Sequence, residues 1–321
     1  MFLRFLTFIW CLIAPITVLP MCNLCDVAQI AYIPNSNQPR AVAFFNSTTG
    51  PNCLAIANQG TNTVDVYSVD CNNPQAEPIR IVTLDSTTSK INNPVGVAFS
   101  PSGCLAVANK GINPTGTDNT VTIYSIDCTT PQANPLAPAI TLDNTTSKIL
   151  FVSSLAFSPS GCLAVGSGLT DPNNSAVAIF SANTIDCTNP STTPPAPTVM
   201  LDAATSKAFS VNAVAFSSTG CLAVASGILG LQGGRVTLYS ADTLHCNTSG
   251  PTPAPTVVLD STTSMINLPI SVAFSPNGCL AVSNSGNNTV TIYSVDCATE
   301  SAVSPAPTTI LNAAVSGIKN S

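Results

Sequence analysis

One segment is written five times along this chain, and that repetition limits the fold more than any single residue does. The copies read AVAFFNSTTGPNCLAIANQG, GVAFSPSGCLAVANKG, SLAFSPSGCLAVGSG, AVAFSSTGCLAVASG and SVAFSPNGCLAVSNSG. Their central cysteines are Cys53, Cys104, Cys162, Cys221 and Cys279, at spacings of 51, 58, 59 and 58 residues. A second apolar run follows each copy (TVDVYSVDC, TVTIYSIDC, AVAIFSANTIDC, RVTLYSADTLHC, TVTIYSVDC). Then come a Pro-rich stretch and a third run (IVTLD, AITLD, TVMLD, TVVLD, TTILN). No stretch shows sustained helical periodicity.

Each unit therefore holds four short β-runs, a to d. Ser-Pro-Ser-Gly after run a places Pro second and Gly fourth in a type I turn, which forces a tight a–b hairpin. Short Gly/Asn/Thr turns join b to c in the first and fifth copies (Gly60-Thr61-Asn62, Gly286-Asn287-Asn288). Runs b are almost continuously apolar, as expected where both faces of a sheet are covered. A four-stranded antiparallel sheet buried on both faces and repeated along the chain is a propeller blade. The expected fold is all-β, a β-propeller of five four-stranded blades at about 41–94, 95–152, 153–211, 212–269 and 270–321, with six blades, one incomplete, as the alternative.

Residues 21–40 form an N-terminal extension in which Asp26 to Ile33 looks like an extra d-type edge strand. Residues 1–20 place Arg4 ahead of an apolar run of about 15 residues, where spanning a bilayer needs roughly 20. That layout suits a secretory signal peptide, with an uncleaved anchor as the rival. No stable membrane insertion is expected once the signal is removed.

Cys11 lies in the signal, which leaves an even dozen cysteines. Ten fall as one pair per repeat: Cys53/Cys71, Cys104/Cys128, Cys162/Cys187, Cys221/Cys246 and Cys279/Cys297. Each pair marks the start of run b and the end of run c, neighbouring positions in a hairpin, so five intra-blade disulfides are expected. Cys22 and Cys25 are a further candidate pair. Zinc would want a second closely spaced knuckle, which the chain lacks.

Charge is scarce, at 9 Lys+Arg and 15 Asp+Glu, or 7%, against about 25% in an average soluble protein. A net charge of −6 leaves no basic stripe for phosphates and excludes nucleic acid as a partner. His245, the one histidine, stands beside Cys246 and reads as a solvated rim residue. The channel-lining a-runs are apolar, so no catalytic residue, metal ligand or cofactor is assigned. Asp85, Asp143, Asp202 and Asp260, which end runs d, read as carboxylates bonded to nearby backbone amides. Candidate binding residues are the non-repeated charges of the enlarged b–c loops, Lys110, Asp118, Asp171 and Arg235. The b–c loops and d–a connectors share one rim. The a–b turns, the c–d connectors and the cysteine pairs share the other.

The unit VAFSPSGCLAVANKG…NTVTIYSIDC resembles the YVTN-type β-propeller repeat of the lactonase-like propeller superfamily, over about 280 residues. Leu105-Ala106-Val107-Ala108-Asn109 takes the place of its Tyr-Val-(Thr/Ala)-Asn element, and Ile123-Tyr124-Ser125-Ile126-Asp127 that of its Val-Ser-Val-Ile-Asp strand. The unit is longer here and carries the cysteine pairs, and no lactonase site residue has a counterpart. The resemblance implies a propeller and says little about activity. The expectation is a secreted, cell-surface or periplasmic disulfide-stapled module that binds a protein or a surface glycan without catalysis. A lactonase-like hydrolase is the alternative.

Overall fold

The computed structural model describes residues 37–46, 50–70, 73, 76–132, 135–168, 177–227, 234–297 and 305–312. Every sheet is a four-stranded antiparallel meander in chain order. Blade 1 is β1 (Pro39–Phe45), β2 (Asn52–Asn58), β3 (Thr63–Val69) and β4 (Ile79–Leu84). Blade 2 is β5 (Pro94–Phe99), β6 (Cys104–Asn109), β7 (Thr120–Ser125) and β8 (Ile140–Leu142). Blade 3 is β9 (Val152–Phe157), β10 (Leu163–Ser167), β11 (Val177–Phe180) and β12 (Val199–Leu201). Blade 4 is β13 (Val211–Phe216), β14 (Leu222–Ser226), β15 (Arg235–Tyr239) and β16 (Val257–Leu259), with one helical turn, α1 (Ala241–Leu244), after β15. Blade 5 is β17 (Pro269–Phe274), β18 (Cys279–Asn284), β19 (Thr289–Ser294) and β20 (Thr309–Leu311). The protein is a five-bladed β-propeller.

The hairpin chemistry read from the sequence is present. Gly103 donates its amide to the Ser100 carbonyl at 3.0 Å with φ +88°, a conformation that favours glycine. Gly161, Gly220 and Gly278 repeat both features. The Ser100 hydroxyl also accepts the Cys104 amide at 2.9 Å, so the turn closes without an unpaired donor. The first strand of each blade carries a register shift at its outset, as at Pro94/Gly96. The residue before it has positive φ (Asn93 +55°, Phe151 +49°, Leu268 +50°). Such a bulge bends and twists the strand. Those first strands pack side by side, β1 on β5, β5 on β9, β9 on β13 and β13 on β17.

The core lies between blades, not within them. In blade 2, Cys104 stands opposite Ser125, Leu105 opposite Tyr124 and Ala106 opposite Ile123. Cys104, Ala106, Ala108, Val121 and Ile123 therefore face blade 3, and Leu105, Val107 and Tyr124 face blade 1. The same division joins blade 3 to blade 4 and blade 4 to blade 5. Each fully buried Leu or Val in these seams contributes about 1.5–3 kcal/mol.

This register corrects the expected disulfides. Cys128 lies past the end of β7, on the Tyr124 side of the sheet, whereas Cys104 lies on the other face; a one-residue difference in parity separates them. The bridges run between adjacent blades: Cys53–Cys128, Cys104–Cys187, Cys162–Cys246 and Cys221–Cys297. Cys279 is an exposed free thiol, so its expected pairing with Cys297 is also overturned. Cys71, Cys22, Cys25, the signal segment and the Asp26–Ile33 run lie outside the described residues.

Candidate functional site: two unlike rims

The d–a connectors and b–c loops build one rim. Its repeated unit is an aspartate closing strand d. Asp85 accepts the amides of Thr87, Thr88 and Ser89 at 3.1, 2.9 and 3.1 Å. Asp143 does the same for Thr145, Thr146 and Ser147. These bonds, led by that from Ser89, hold the Asp85 carboxyl below its usual range. For Asp143, burial pushes upward, but the Thr145 hydroxyl and the three amides win and the carboxyl sits low. The expected backbone-bonding role of these aspartates is the one they play.

Those turns end on a residue with positive φ, and its side chain projects into solvent. Lys90, Lys148, Lys207 and Met265 occupy this position in the first four blades, with φ of 62°, 56°, 58° and 59°. Three cations and one thioether thus stand in an arc on a rim whose repeated carboxylates are engaged by amides. A buried asparagine ties this arc to the b–c loops. The Asn109 carbonyl accepts the Asn92 amide at 3.0 Å, and its NH2 donates to the Thr122 hydroxyl at 3.0 Å. Asn284 repeats the device with Asn267 and Thr291.

The loop of blade 2, residues 110–119, is fully described. Asp118 organises it from within, accepting the amides of Ile112 (2.8 Å) and Asn113 (3.1 Å) and the Asn92 NH2 (3.3 Å). These bonds, the one from Ile112 foremost, lower its pKa. Asp118 thus bonds its own loop. Held by it, Ile112 is 84% exposed, and Lys110 is exposed two residues earlier. Arg235 starts β15 in blade 4, half-buried, with its guanidinium 5.1 Å from the centre of the Phe209 ring. Asp171 falls in residues 169–176, outside the described set. Lys110 and Asp118 therefore share one loop, whereas Arg235 stands two blades away. The lysine arc and Ile112 were not singled out from the sequence. The signal for the arc was legible there, since TTSK, TTSK, ATSK and TTSM close the same turn, whereas nothing in the string marked Ile112.

The a–b turns and c–d connectors build the opposite rim, where the disulfides lie. A hollow of about 380 Å³ at the mouth of the central channel is lined by Phe44, Phe99, Phe157 and Phe216, by the Ser-Pro turns that follow Phe99 and Phe157, and by Ser217 and Ser218. No carboxylate or imidazole is among its described lining residues. A second hollow of about 520 Å³ lies between blades 4 and 5, with Asp242, Asp296, Phe274 and Asn277 in its wall. Asp70, Glu77, Asp127 and Asp186 also share this rim, which carries no lysine among the described residues, so it is the acidic one. Cys104, Asp186 and Cys187 are close enough to suggest a metal site. Both sulfurs are bonded to each other, however, and a metal needs thiolates. His245 is exposed here, in the left-handed conformation that caps α1.

Comparison with known proteins supports this architecture. Residues 262–294 match the WD40 family described as WD domain, G-beta repeat. None of the curated protein sequences compared with the chain matches it. Sqt1 from Chaetomium thermophilum is similar in structure at 17% identity and a TM-score of 0.51, covering 85% of this chain and 58% of its own. A Chaetomium thermophilum Polycomb Repressive Complex 2 chain gives 14% and 0.53, covering 79% and 50%. The aldose sugar dehydrogenase of Streptomyces coelicolor gives 14% and 0.50, covering 86% and 82%. The chain spans between half and three-fifths of the first two, and at these identities the likeness is one of fold.

Proposed function

We propose that this propeller is a secreted, non-enzymatic binding module that takes a protein partner on its lysine-bearing rim. The observation that carries the reading is Ile112. It is a large aliphatic side chain, 84% exposed, on a loop that Asp118 and Asn113 hold in one conformation. An exposed apolar residue on an ordered loop lowers the ordering cost of association and offers an anchor. Lys90, Lys110, Lys148 and Lys207 project outward on this face, while the carboxylates of Asp85, Asp118, Asp143, Asp202 and Asp260 are turned onto backbone amides. The outward charge met by a partner is therefore that of the lysines, which suits an acidic partner surface. Four bridges fit an oxidising compartment, and no helix among the described residues is long and apolar enough to cross a membrane. The YVTN-type and lactonase-like kinship remains part of this reading only as a scaffold.

Loop exchange tests it. The segment Lys110–Asn119 is replaced by the short turn of blade 5, Ser285–Asn288, and both proteins are used to capture partners from the native medium. The exchanged protein should lose at least tenfold in affinity for whatever the wild type retains, with its far-UV circular dichroism intact. Equal retention would remove the rim from consideration. Turnover of lactones by the wild type would favour the hydrolase instead.

A further inference from the structure

Three hollows on the acidic rim run together around the inner end of blade 4. The channel mouth, about 380 Å³, shares Ser217 and Ser218 with the hollow of about 520 Å³ between blades 4 and 5. On its other side it shares Ser158 and Phe216 with a third hollow, about 310 Å³, between the blade 3 turn and α1. Each lies in the size range of a small-molecule pocket, about 300–1,000 Å³. Joined, they form a curved cleft from the seam of blades 3 and 4, past the channel mouth, to the seam of blades 4 and 5.

The sequence accounts for this shape. Blades 3 and 4 carry three extra residues after strand c, Ala182-Asn183-Thr184 and Ala241-Asp242-Thr243. Their alanines fill the space beside each a–b turn: a Cβ on Gly161 would meet Ala182, and one on Gly220 would meet Ala241, both at 3.2 Å. Blade 5 lacks the insertion and passes from Ser294 straight to Val295-Asp296-Cys297. A Cβ on Gly278 would meet nothing within 4 Å, so the space there stays open. The walls are fixed. The Cys221–Cys297 bridge crosses the seam, and the Ser218 hydroxyl donates to the Pro276 carbonyl at 3.1 Å, tying the two turns together. A cleft held in one shape lowers the ordering cost of binding.

The lining selects the ligand. No lysine or arginine reaches any of the three hollows, and Asp242 and Asp296 stand in the largest, so anions are repelled. Both carboxylates lie at one end, so a basic chain would find no counter-charge along the rest. Several wall hydroxyls already serve the fold: that of Ser217 accepts the Cys221 amide, and that of Ser240 the Thr243 amide. At the 4/5 end the exposed Asp242 carboxylate and Asn277 amide have no described partner. At the 3/4 end the Asn247 carbonyl oxygen accepts from the Ser181 hydroxyl at 3.0 Å, which leaves its NH2 to donate. Phe216 and Phe274, both half-buried, line the cleft between them. A carboxylate takes two neighbouring hydroxyls, an amide both donates and accepts, and an aromatic ring covers the C–H face of a pyranose. This set suits a chain of rings dense in hydroxyls and free of charge.

We propose that this cleft binds a neutral oligosaccharide. One sugar unit is held at the 4/5 seam by Asp242 and Asn277 against Phe274, and the following units run past Phe216 toward Asn247. The cleft lies on the rim opposite the lysines, so it stands or falls separately from the protein-binding reading.

Calorimetry on the full-length protein decides it. The probes are oligomers of two, four and six units of glucose, mannose, galactose or N-acetylglucosamine, with heparin and hexa-arginine as charged probes. At least one neutral series should bind, with affinity at least fivefold higher for four units than for two. Asp242→Ala and Asn277→Ala should each weaken that binding at least fivefold with the melting temperature unchanged, since neither polar group bonds another described residue. Ile112→Ser, on the other rim, should leave it unaltered. Four results would each overturn the proposal: no neutral series bound, hexa-arginine or heparin bound in its place, full affinity in both cleft variants, or affinity lost in Ile112→Ser.

Discussion

The two rims of the propeller join the same blades by different physics. At the acidic rim each junction is crossed by a covalent bond, as in Cys104–Cys187. At the lysine rim the junctions are crossed by hydrogen bonds, such as Tyr124 to the Ser89 carbonyl and Asn93 to Asn62. A bridge leaves little freedom to the turns beside it, and the a–b turns there are nearly identical in blades 2 to 5. Hydrogen-bonded joints tolerate insertions: the enlarged b–c loop of blade 2 keeps its Asn119 tie to Val152, and blade 3 does without the tyrosine tie altogether. One rim therefore maintains the array, and the other is free to differ from blade to blade.

The largest effect that would break this comparison is loss of the bridges. Each closes a sequence separation of 75 to 84 residues. In the chain-entropy account such a bridge contributes about 4 kcal/mol. Four together exceed or match the whole stability of a typical domain, about 5–15 kcal/mol. Complete reduction should unfold the protein at room temperature, read by circular dichroism with and without dithiothreitol. A melting temperature unchanged by reductant would refute the assignment of stability to the acidic rim.

Next come the hydrogen-bonded joints. Asn109→Ala removes a fully buried amide and leaves the Asn92 amide without its acceptor, while the Thr122 hydroxyl keeps the Tyr124 hydroxyl, at a cost of about 2–3 kcal/mol. Tyr239→Phe removes a hydroxyl that meets the Ser206 carbonyl and the Thr237 hydroxyl, about 1 kcal/mol. Blade 3 already carries Phe180 at the tyrosine position, so Phe180→Tyr at junction 2–3 measures the same tie in reverse. Chemical denaturation that ranked Tyr239→Phe above Asn109→Ala would contradict this order.

Acid should act on the lysine rim through its aspartates. Asp143 and Asp260 have folded-state pKa values below the ordinary carboxylate value. Their contribution is therefore complete above the unfolded pKa, near 4, and is lost as pH falls through the lower folded values. Thermal stability should be flat from pH 7 to about 5 and decline below about 4, and Asp143→Asn should flatten that decline. A decline beginning at pH 6 would implicate other groups.

The smallest effect on stability belongs to the surface of that rim. Ile112→Ser and the triple change Lys90→Gln, Lys148→Gln and Lys207→Gln should each shift stability by less than about 0.5 kcal/mol. The lysine variant should instead slow association with an acidic partner at low salt and converge with wild type at high salt. Equal on-rates at all salt concentrations would separate the lysines from recognition.

Much of this could be read from residues alone. Five blades, the Ser-Pro-Ser-Gly hairpins and the aspartate-bonded turns are local, and each rests on a short stretch of chain whose turn chemistry admits few conformations. The charges in the enlarged loops could be found but not weighed. Nothing in the string distinguishes Asp118, turned inward onto the Ile112 and Asn113 amides, from a carboxylate offered to a ligand. The lysine arc was written in the repeats, and it lacked meaning until the turns were seen to point it outward from a single rim.

The cysteines mark the boundary between what sequence and tertiary structure decide. Their spacing establishes that two lie near one rim of every unit, and strand alternation says that each belongs to one face or the other. The faces themselves depend on register, and counting from Cys104 to Cys128 across a loop cannot supply it, since a single residue of slip reverses the answer. Only the packed sheets, with Ser125 opposite Cys104 and Tyr124 turned toward blade 1, show which cysteines meet. Alternation along a strand is a covalent property of the chain. The choice of neighbouring sheet belongs to the seams between blades, which exist only after the chain has folded.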